Sequence, residues 1–454
     1  MGELETGELI LTLGIFIGAA HVLGWLFEKM RQPRLVGEIL AGIVLGPFVL
    51  GKISPWGYGL LYGPALGGTG KTSVVLGFMY WFGVLLLMFI SGSQVKNLLS
   101  KENRSATAWL LGVGATLPFF LVVGLCLGGL VPLGPLMGPR GVPSAAVLVL
   151  ACAVAVTSIP VISRIFSDLG ILHTRFASLI LGCALFEDIL LWAVLAIAVA
   201  LSKAGTVPDG EFYGTTSAHI AVTLAYMGAA ILLMPRLLRK LRQTKYNIIF
   251  KSSRLAYAIF VLFGYVGFAA YLEVNLVFAA FLAGFGLAGG LTGEQKHFFS
   301  DAFDAIGKFS YSVFIPVYFA LVGNRLVFDR DFSMTMLVAF LVGSSLIALV
   351  ARALAARLAG FGKLDCFNIA VTSNARGGPG IVMASIAYDA GIIGAAFYTT
   401  MVVTAILTSQ GAGIWLRYVL RSGYPLLSTN PGDETTIPGL RGPALGSNGR
   451  THPA

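Results

Sequence analysis

The chain has 454 residues, 56% of them hydrophobic and only 11% charged, with a mean hydropathy of +0.83. Soluble domains carry roughly a quarter charged residues, so this composition excludes a water-soluble domain as the main body and fits an integral membrane protein. The formal charge of +10 does not imply nucleic acid, because basic residues in a membrane protein serve first to orient its spans.

Apolar runs of about 20 residues, each able to cross roughly 30 Å of hydrocarbon as a helix, recur along the chain. They predict spans over 9–27, 35–50, 74–95, 106–130, 144–165, 177–201 and 218–234, then 255–271, 274–290, 309–322, 332–358, 367–390 and 393–420. The expected fold class is therefore all-α: a polytopic membrane protein of about thirteen transmembrane helices filling 1–420. The first run follows Glu3, Glu5 and Glu8 instead of a basic segment, and no A-x-A-like cleavage site follows it, so it reads as a retained span. Residues 421–454 are rich in Pro, Gly and polar residues without periodicity, and are expected to be a disordered tail. Cys126, Cys152, Cys183 and Cys366 lie in or beside apolar runs without metal spacing and read as small buried residues.

Alternate loops separate the charges. Lys29, Arg31, Arg34, Lys96, Lys101, Arg104, Arg164, Arg175, the run 236–254, Lys296, Lys308, Arg357, Lys363, Arg417 and Arg421 fall on one side. The other side holds the acidic N-terminus with Lys52, Lys71, Arg140, Lys203, Arg325 and Arg330. Basic residues collect on the cytoplasmic face, so the N-terminus is expected outside and the C-terminus inside, in the cell membrane.

Similar helices separated by an odd number of spans have opposite orientations, so an offset of seven signals an inverted repeat. The second span carries EILAGIVLG and the ninth AAFLAGFGLAG. The fifth and twelfth spans are both interrupted, by Pro160 after Thr157 and Ser158 in one, and by Gly377, Gly378 and Pro379 after Asn374 in the other. Pro removes a backbone donor and consecutive Gly weakens a helix, so both spans should unwind near mid-membrane. Unwound backbone at that depth must be buried in protein or line a cavity.

Glu187 and Asp188 lie together in the run 177–201, which is otherwise uncharged. A charge at mid-bilayer costs roughly 2.5–3.5 kcal/mol on insertion scales, so each carboxylate needs a partner, water or a proton. Adjacent helical residues point about 100° apart, which suggests one structural group and one working group. The partner of Glu187 is expected to be either Arg352 or Arg376, the two intramembrane arginines. For Asp188, Thr157, Ser158 and nearby unwound carbonyls could supply the oxygen shell of a transiently bound monovalent cation.

These stretches, VGEILAGIVLGP, TSIPVISRIFSDLG, the Glu187–Asp188 pair and NARGGPGIVMASIAYDAGII, resemble the monovalent cation:proton antiporter superfamily, in its second branch of bacterial sodium or potassium/proton exchangers. The resemblance covers roughly 9–420. It implies a dimer panel, about 9–95 and 255–322, a linker helix, about 218–234, and a core, about 106–201 and 332–420, whose broken helices cross beside the ion site. It also implies homodimers, elevator-like motion, exchange of Na+ or K+ for H+ at Asp188, and Arg352 as the basic partner, without a cofactor. Electrogenic relatives typically pair two aspartates and often carry Lys where this chain has Arg352. An arginine does not release its proton, which points to one-for-one exchange.

Other ionisable residues receive simpler readings: Glu38 is interfacial beside Arg34, His21 is a packed or hydrogen-bonded histidine, and Asp389, Glu273 and Asp365 sit at span ends within reach of water. A cation channel would need a filter-like segment, and none is present. An intramembrane enzyme is disfavoured by the absence of H-E-x-x-H, and an aspartyl protease would need aspartates converging from two helices. A sodium-coupled organic anion transporter of the same architecture remains the alternative, because fold does not dictate substrate.

Overall fold

The computed structural model describes residues 3–30, 32–62, 71–94, 108–172, 174–204, 216–244, 246–289, 294–328 and 332–428. Arg31, Lys96, Lys101, Arg104, Arg330 and the expected tail from 429 onward lie outside the described residues. Helices in chain order are α1 (Glu3–Lys29), α2 (Arg34–Leu45), α3 (Lys71–Gln94), α4 (Thr116–Leu127), α5 (Pro143–Ala155), α6 (Ile159–Asp168), α7 (Arg175–Ala204) and α8 (Thr216–Gly228). They continue with α9 (Arg254–Tyr271), α10 (Leu276–Gly289), α11 (Glu294–Ser312), α12 (Phe314–Asn324), α13 (Met334–Leu358), α14 (Lys363–Ser373), α15 (Gly377–Asp389) and α16 (Ala395–Arg421). Among the described residues the only strand-like pairing is one isolated bridge, Met137 to Ile393. Among the described residues, ten helical stretches are long and apolar enough to cross a membrane by length and composition. The other expected spans are the two interrupted ones and α10, which has 14 residues.

The helices form two packing groups. In the first, α1, α2, α3, α10 and α12 pack on one another; in the second, α4 to α7 pack with α13 to α16. Helix α13 shows how the second group meets lipid. Val338, Val342, Leu346, Val350 and Leu354 recur every four residues on its exposed side, while Ser344, Ala348, Ala351, Arg352 and Ala355 lie buried behind them. Four-residue spacing keeps side chains on one helix face, so the same pattern that offers an apolar stripe aims Arg352 inward.

The repeated Leu-Ala-Gly stretches have a physical role. A Cβ at Gly42 of α2 would overlap the carbonyl of Ala320 on α12, and one at Gly323 of α12 would overlap that of Ile39. In the same way, Gly284 of α10 presses on the Phe89 carbonyl of α3, and Gly92 of α3 on that of Phe281. Helices packed without a hydrophobic driving force gain from such backbone approach. The two seams are related by the seven-span offset, since α2 and α10 are the second and ninth spans and α3 and α12 the third and tenth.

The two interruptions are real. Helix α5 stops at Ala155, and Val156 and Ser158 are extended, with ψ of 140° and 106°, before α6 starts with a proline in its first two residues. Helix α14 stops at Ser373, and α15 restarts at Gly377, whose φ of +39° lies in the left-handed region. A side chain there would also overlap Ser158 and Val161, so glycine is required both for conformation and for space.

Two expectations need correction. Residues 422–428 are not a loose tail: Leu426 and Leu427 are buried, and the backbone N–H and hydroxyl of Ser428 both donate to Asp365, at 2.8 Å each. Asp365 is accordingly buried, and its carboxylate ties the chain end to the first turn of α14 instead of facing water. The short-range composition of the segment concealed two leucines that cover α14.

Replacing Gly42 or Gly284 by Val should lower the midpoint of thermal unfolding in detergent, because overpacking of this kind destabilises by about 1–3 kcal/mol or more. Gly18→Val, where a Cβ meets nothing within 4 Å, is the control. Equal midpoints for all three would refute the seams.

Candidate functional site

The broken segments cross and bind each other through backbone. The N–H of Ser158 donates to the Ala375 carbonyl at 2.7 Å, and the Thr157 hydroxyl donates to the Ser373 carbonyl at 2.8 Å. The N–H of Gly377 is taken up by Ser409 Oγ on α16 at 3.0 Å, and Ser409 in turn donates to the Ala405 carbonyl. Groups released by the two interruptions are therefore re-paired inside the protein, as unwound backbone in a membrane requires. Ser409 was not singled out in the sequence, although Thr400, Thr404 and Thr408 mark a polar stripe at four-residue spacing beside it.

Arg352 meets this crossing from α13. Its Nη2 donates to the Ala155 carbonyl at 2.6 Å and to Thr157 Oγ1 at 2.8 Å, and lies 3.4 Å from Glu187 Oε2. Arginine and carboxylate are both about 2–4% exposed. The guanidinium thus caps the carbonyl end of α5, where the helix dipole is negative, and neutralises Glu187 at the same place. Between the two candidate partners, Arg352 is the one that meets Glu187. The hydroxyl of Thr157, a candidate oxygen for a cation at Asp188, is engaged by Arg352 and Ser373.

Arg376 has a different environment. It is buried, Nε, Nη1 and Nη2 have no hydrogen-bond partner among the described residues, and the guanidinium lies 5.6 Å from the centre of the Phe340 ring. It pairs neither with Glu187 nor with the helix carbonyls. Contact with an aromatic face is attractive for a cation, more so away from water. Phe340 was not anticipated. Asn374, at the end of α14, is also buried, with Oδ1 unpartnered among the described residues.

Asp188 is 2% exposed, and its Oδ1 has no hydrogen-bond partner among the described residues. It follows Glu187 directly on α7, so its Cα lies about 3.8 Å from that of a residue bridged to the crossing. One turn on, the Leu191 carbonyl accepts from Cys152 Sγ at 3.8 Å, fixing α7 against the half-helix α5. Of the two carboxylates, one is bridged to an arginine and the other keeps an oxygen without a partner among the described residues. Among the described residues no three His, Cys, Asp or Glu side chains converge, so hydroxyl, carbonyl or water oxygens would complete any shell around a cation at Asp188.

A cavity of about 780 Å3 opens between the two helix groups and reaches the crossing at Gly378, Pro379 and Ser409. Arg34, Arg164, Arg417 and Arg421 lie along it, all from the basic side of the span map. Asp188 is not on its lining. Glu38 is, buried and 3.2 Å from Arg34, whose guanidinium also contacts His21. His21 Nε2 lies 2.7 Å from the Ser312 carbonyl, so this histidine is hydrogen-bonded as expected.

Comparison with known proteins agrees with this architecture. The family described as sodium/hydrogen exchanger, transmembrane, matches residues 17–422. The Na(+)/H(+)-K(+) antiporter GerN of Bacillus cereus is 25% identical over 421 residues, covering 90% of this chain and 96% of its own. The Na(+)/H(+) antiporter NhaS4 of Synechocystis is 24% identical over 416 residues, covering 89% and 96%. Among solved structures, the sodium proton antiporter MjNhaP1 from Methanocaldococcus jannaschii aligns with a TM-score of 0.58 at 14% identity, covering 91% of this chain and 98% of that one. With the family matching nearly the whole membrane portion, and with its fold shared by a solved antiporter, the chain belongs to the transmembrane sodium/hydrogen exchanger family.

Proposed function

We propose that this protein exchanges a monovalent cation, Na+ or K+, for H+, with the two ions competing for Asp188. The observation that carries the proposal is the contrast between neighbours: Glu187 is neutralised by Arg352, whereas the buried carboxylate of Asp188 keeps an oxygen without a partner among the described residues. A buried charge is expensive unless compensated, so a proton or a desolvated cation stabilises the site, and the two exclude each other. Reorientation then favours the loaded site over the empty one, which couples the fluxes. Membership in an exchanger family and the printed activities of GerN and NhaS4 support this reading.

The first packing group serves as a homodimer panel and the second as the moving core, with α8 as the linker. The N-terminus lies outside, and the basic cavity faces the cytoplasm. Arg352 keeps its charge throughout, which gives one H+ per cation.

Three outcomes test the mechanism in proteoliposomes carrying an internal pH dye. Asp188→Asn should abolish cation-driven proton flux while leaving the purified protein monodisperse; preserved exchange would sink the assignment. Acidification should raise the apparent KM for the cation, by up to about tenfold per pH unit where H+ dominates the site, with Vmax little changed, as simple competition demands. A KM indifferent to pH would contradict shared occupancy. Arg352→Gln should destabilise the fold by about 3–5 kcal/mol by leaving Glu187 buried and unpaired, and Glu187→Gln in the same chain should recover much of it. Additive losses in the thermal midpoint would rule out the pair.

A further inference from the structure

The two helix groups meet at both ends of the cavity, and the two meetings differ. At the basic end an exposed ion pair joins them, Arg164 on α6 to Glu28 on α1 at 2.6 Å, with both side chains more than 40% exposed. At the opposite end the contact is triangular. Arg325, just past α12, donates through Nη1 to Asp389 Oδ1 at 2.7 Å; Asp389 is the last residue of α15. Tyr80 of α3 donates its hydroxyl to the other carboxylate oxygen at 2.8 Å, and its ring lies 4.0 Å from the Arg325 guanidinium. Each of the three side chains touches the other two.

Further polar contacts line up behind this triangle. The Tyr318 hydroxyl of α12 lies 3.4 Å from Ser385 Oγ of α15, the Tyr398 hydroxyl of α16 is 3.3 Å from the Val322 carbonyl, and the N–H of Val327 donates to Thr399 Oγ1 at 3.0 Å. All run from the first group to the second. The Arg325 and Asp389 side chains are 35% and 23% exposed. They stand at a rim where water can replace each partner, unlike the fully buried Glu187–Arg352 pair. Separation is therefore affordable for these charges and prohibitive for the inner ones.

We propose that Arg325, Asp389 and Tyr80 form a latch that closes the outer end while the cavity is open at the other, and that the latch parts each time Asp188 is presented to the outside. The proposal deepens the alternating-access reading and rests on it. It assigns these residues a gating role with no contact to the transported ion.

Ser385 lies buried directly behind the latch, so a cysteine placed there reports outer opening. In the purified full chain, labelling of Ser385→Cys by an impermeant maleimide should be slow. Asp389→Asn, Arg325→Gln or Tyr80→Phe should each speed it about tenfold, the change in opening that follows loss of one charge-assisted hydrogen bond. Arg325→Asp combined with Asp389→Arg should return it towards the slow rate. The four native cysteines, all buried, measure general unfolding and should label no faster in the variants. Unchanged Ser385→Cys labelling in the three variants, or a parallel rise at the native cysteines, would overturn the latch. Tyr80→Phe removes only a hydroxyl and keeps the test decisive should a charge variant fail to fold. Because labelling needs no transport, repeating it in the Asp188→Asn background separates failure of the latch from failure of the exchange mechanism.

Discussion

The buried polar groups where the first half-helix ends depend on one guanidinium. Arg352 answers the Ala155 carbonyl released by the first break, the hydroxyl of Thr157 and the carboxylate of Glu187. In hydrocarbon none of these could be left to solvent, so the break could not persist at that depth without an internal donor. Arginine suits the position because it stays charged; Nη2 alone reaches all three groups, while Nε and Nη1 have no hydrogen-bond partner among the described residues. Its helix carries a lipid-facing stripe on the opposite side, which makes the inward orientation of Arg352 a consequence of packing as well as of charge.

The two helix groups are held together by different means internally and across their boundary. Within the first, backbone touches backbone at Gly42, Gly92, Gly284 and Gly323, leaving little room for rearrangement. Within the second, the crossing segments exchange hydrogen bonds that would all have to break together. Between the groups lies a cavity, with ion pairs joining them at either end.

Much of this was legible in the chain. Pro160 and the Gly377–Gly378–Pro379 run identify both interruptions because their effect on a helix is local. The Glu187–Asp188 pair stands out because the surrounding run has no other charge. The Leu-Ala-Gly repeat announced a related pair of helices, although its use as a backbone contact appears only once α12 and α3 are in place. What was not legible depends on approach from distant segments. Arg352 and Arg376 look alike in sequence, and only packing brings the first to Glu187 and the second to Phe340. Asp365 reads as a span-end carboxylate until Ser428, 63 residues later, is seen bonded to it.

That last bond has a mechanical consequence. Ser428 grips α14 by its first turn, Asn368 of the same helix donates to the Leu426 carbonyl at 3.1 Å, and Trp415 of α16 donates to Asn368 at 3.0 Å. The chain is thereby stitched to the first half of a broken helix, and a fluorophore or spin label attached beside Ser428 would be carried as a rigid passenger of that half-helix, turning any excursion of the crossing into a signal readable from outside the bilayer.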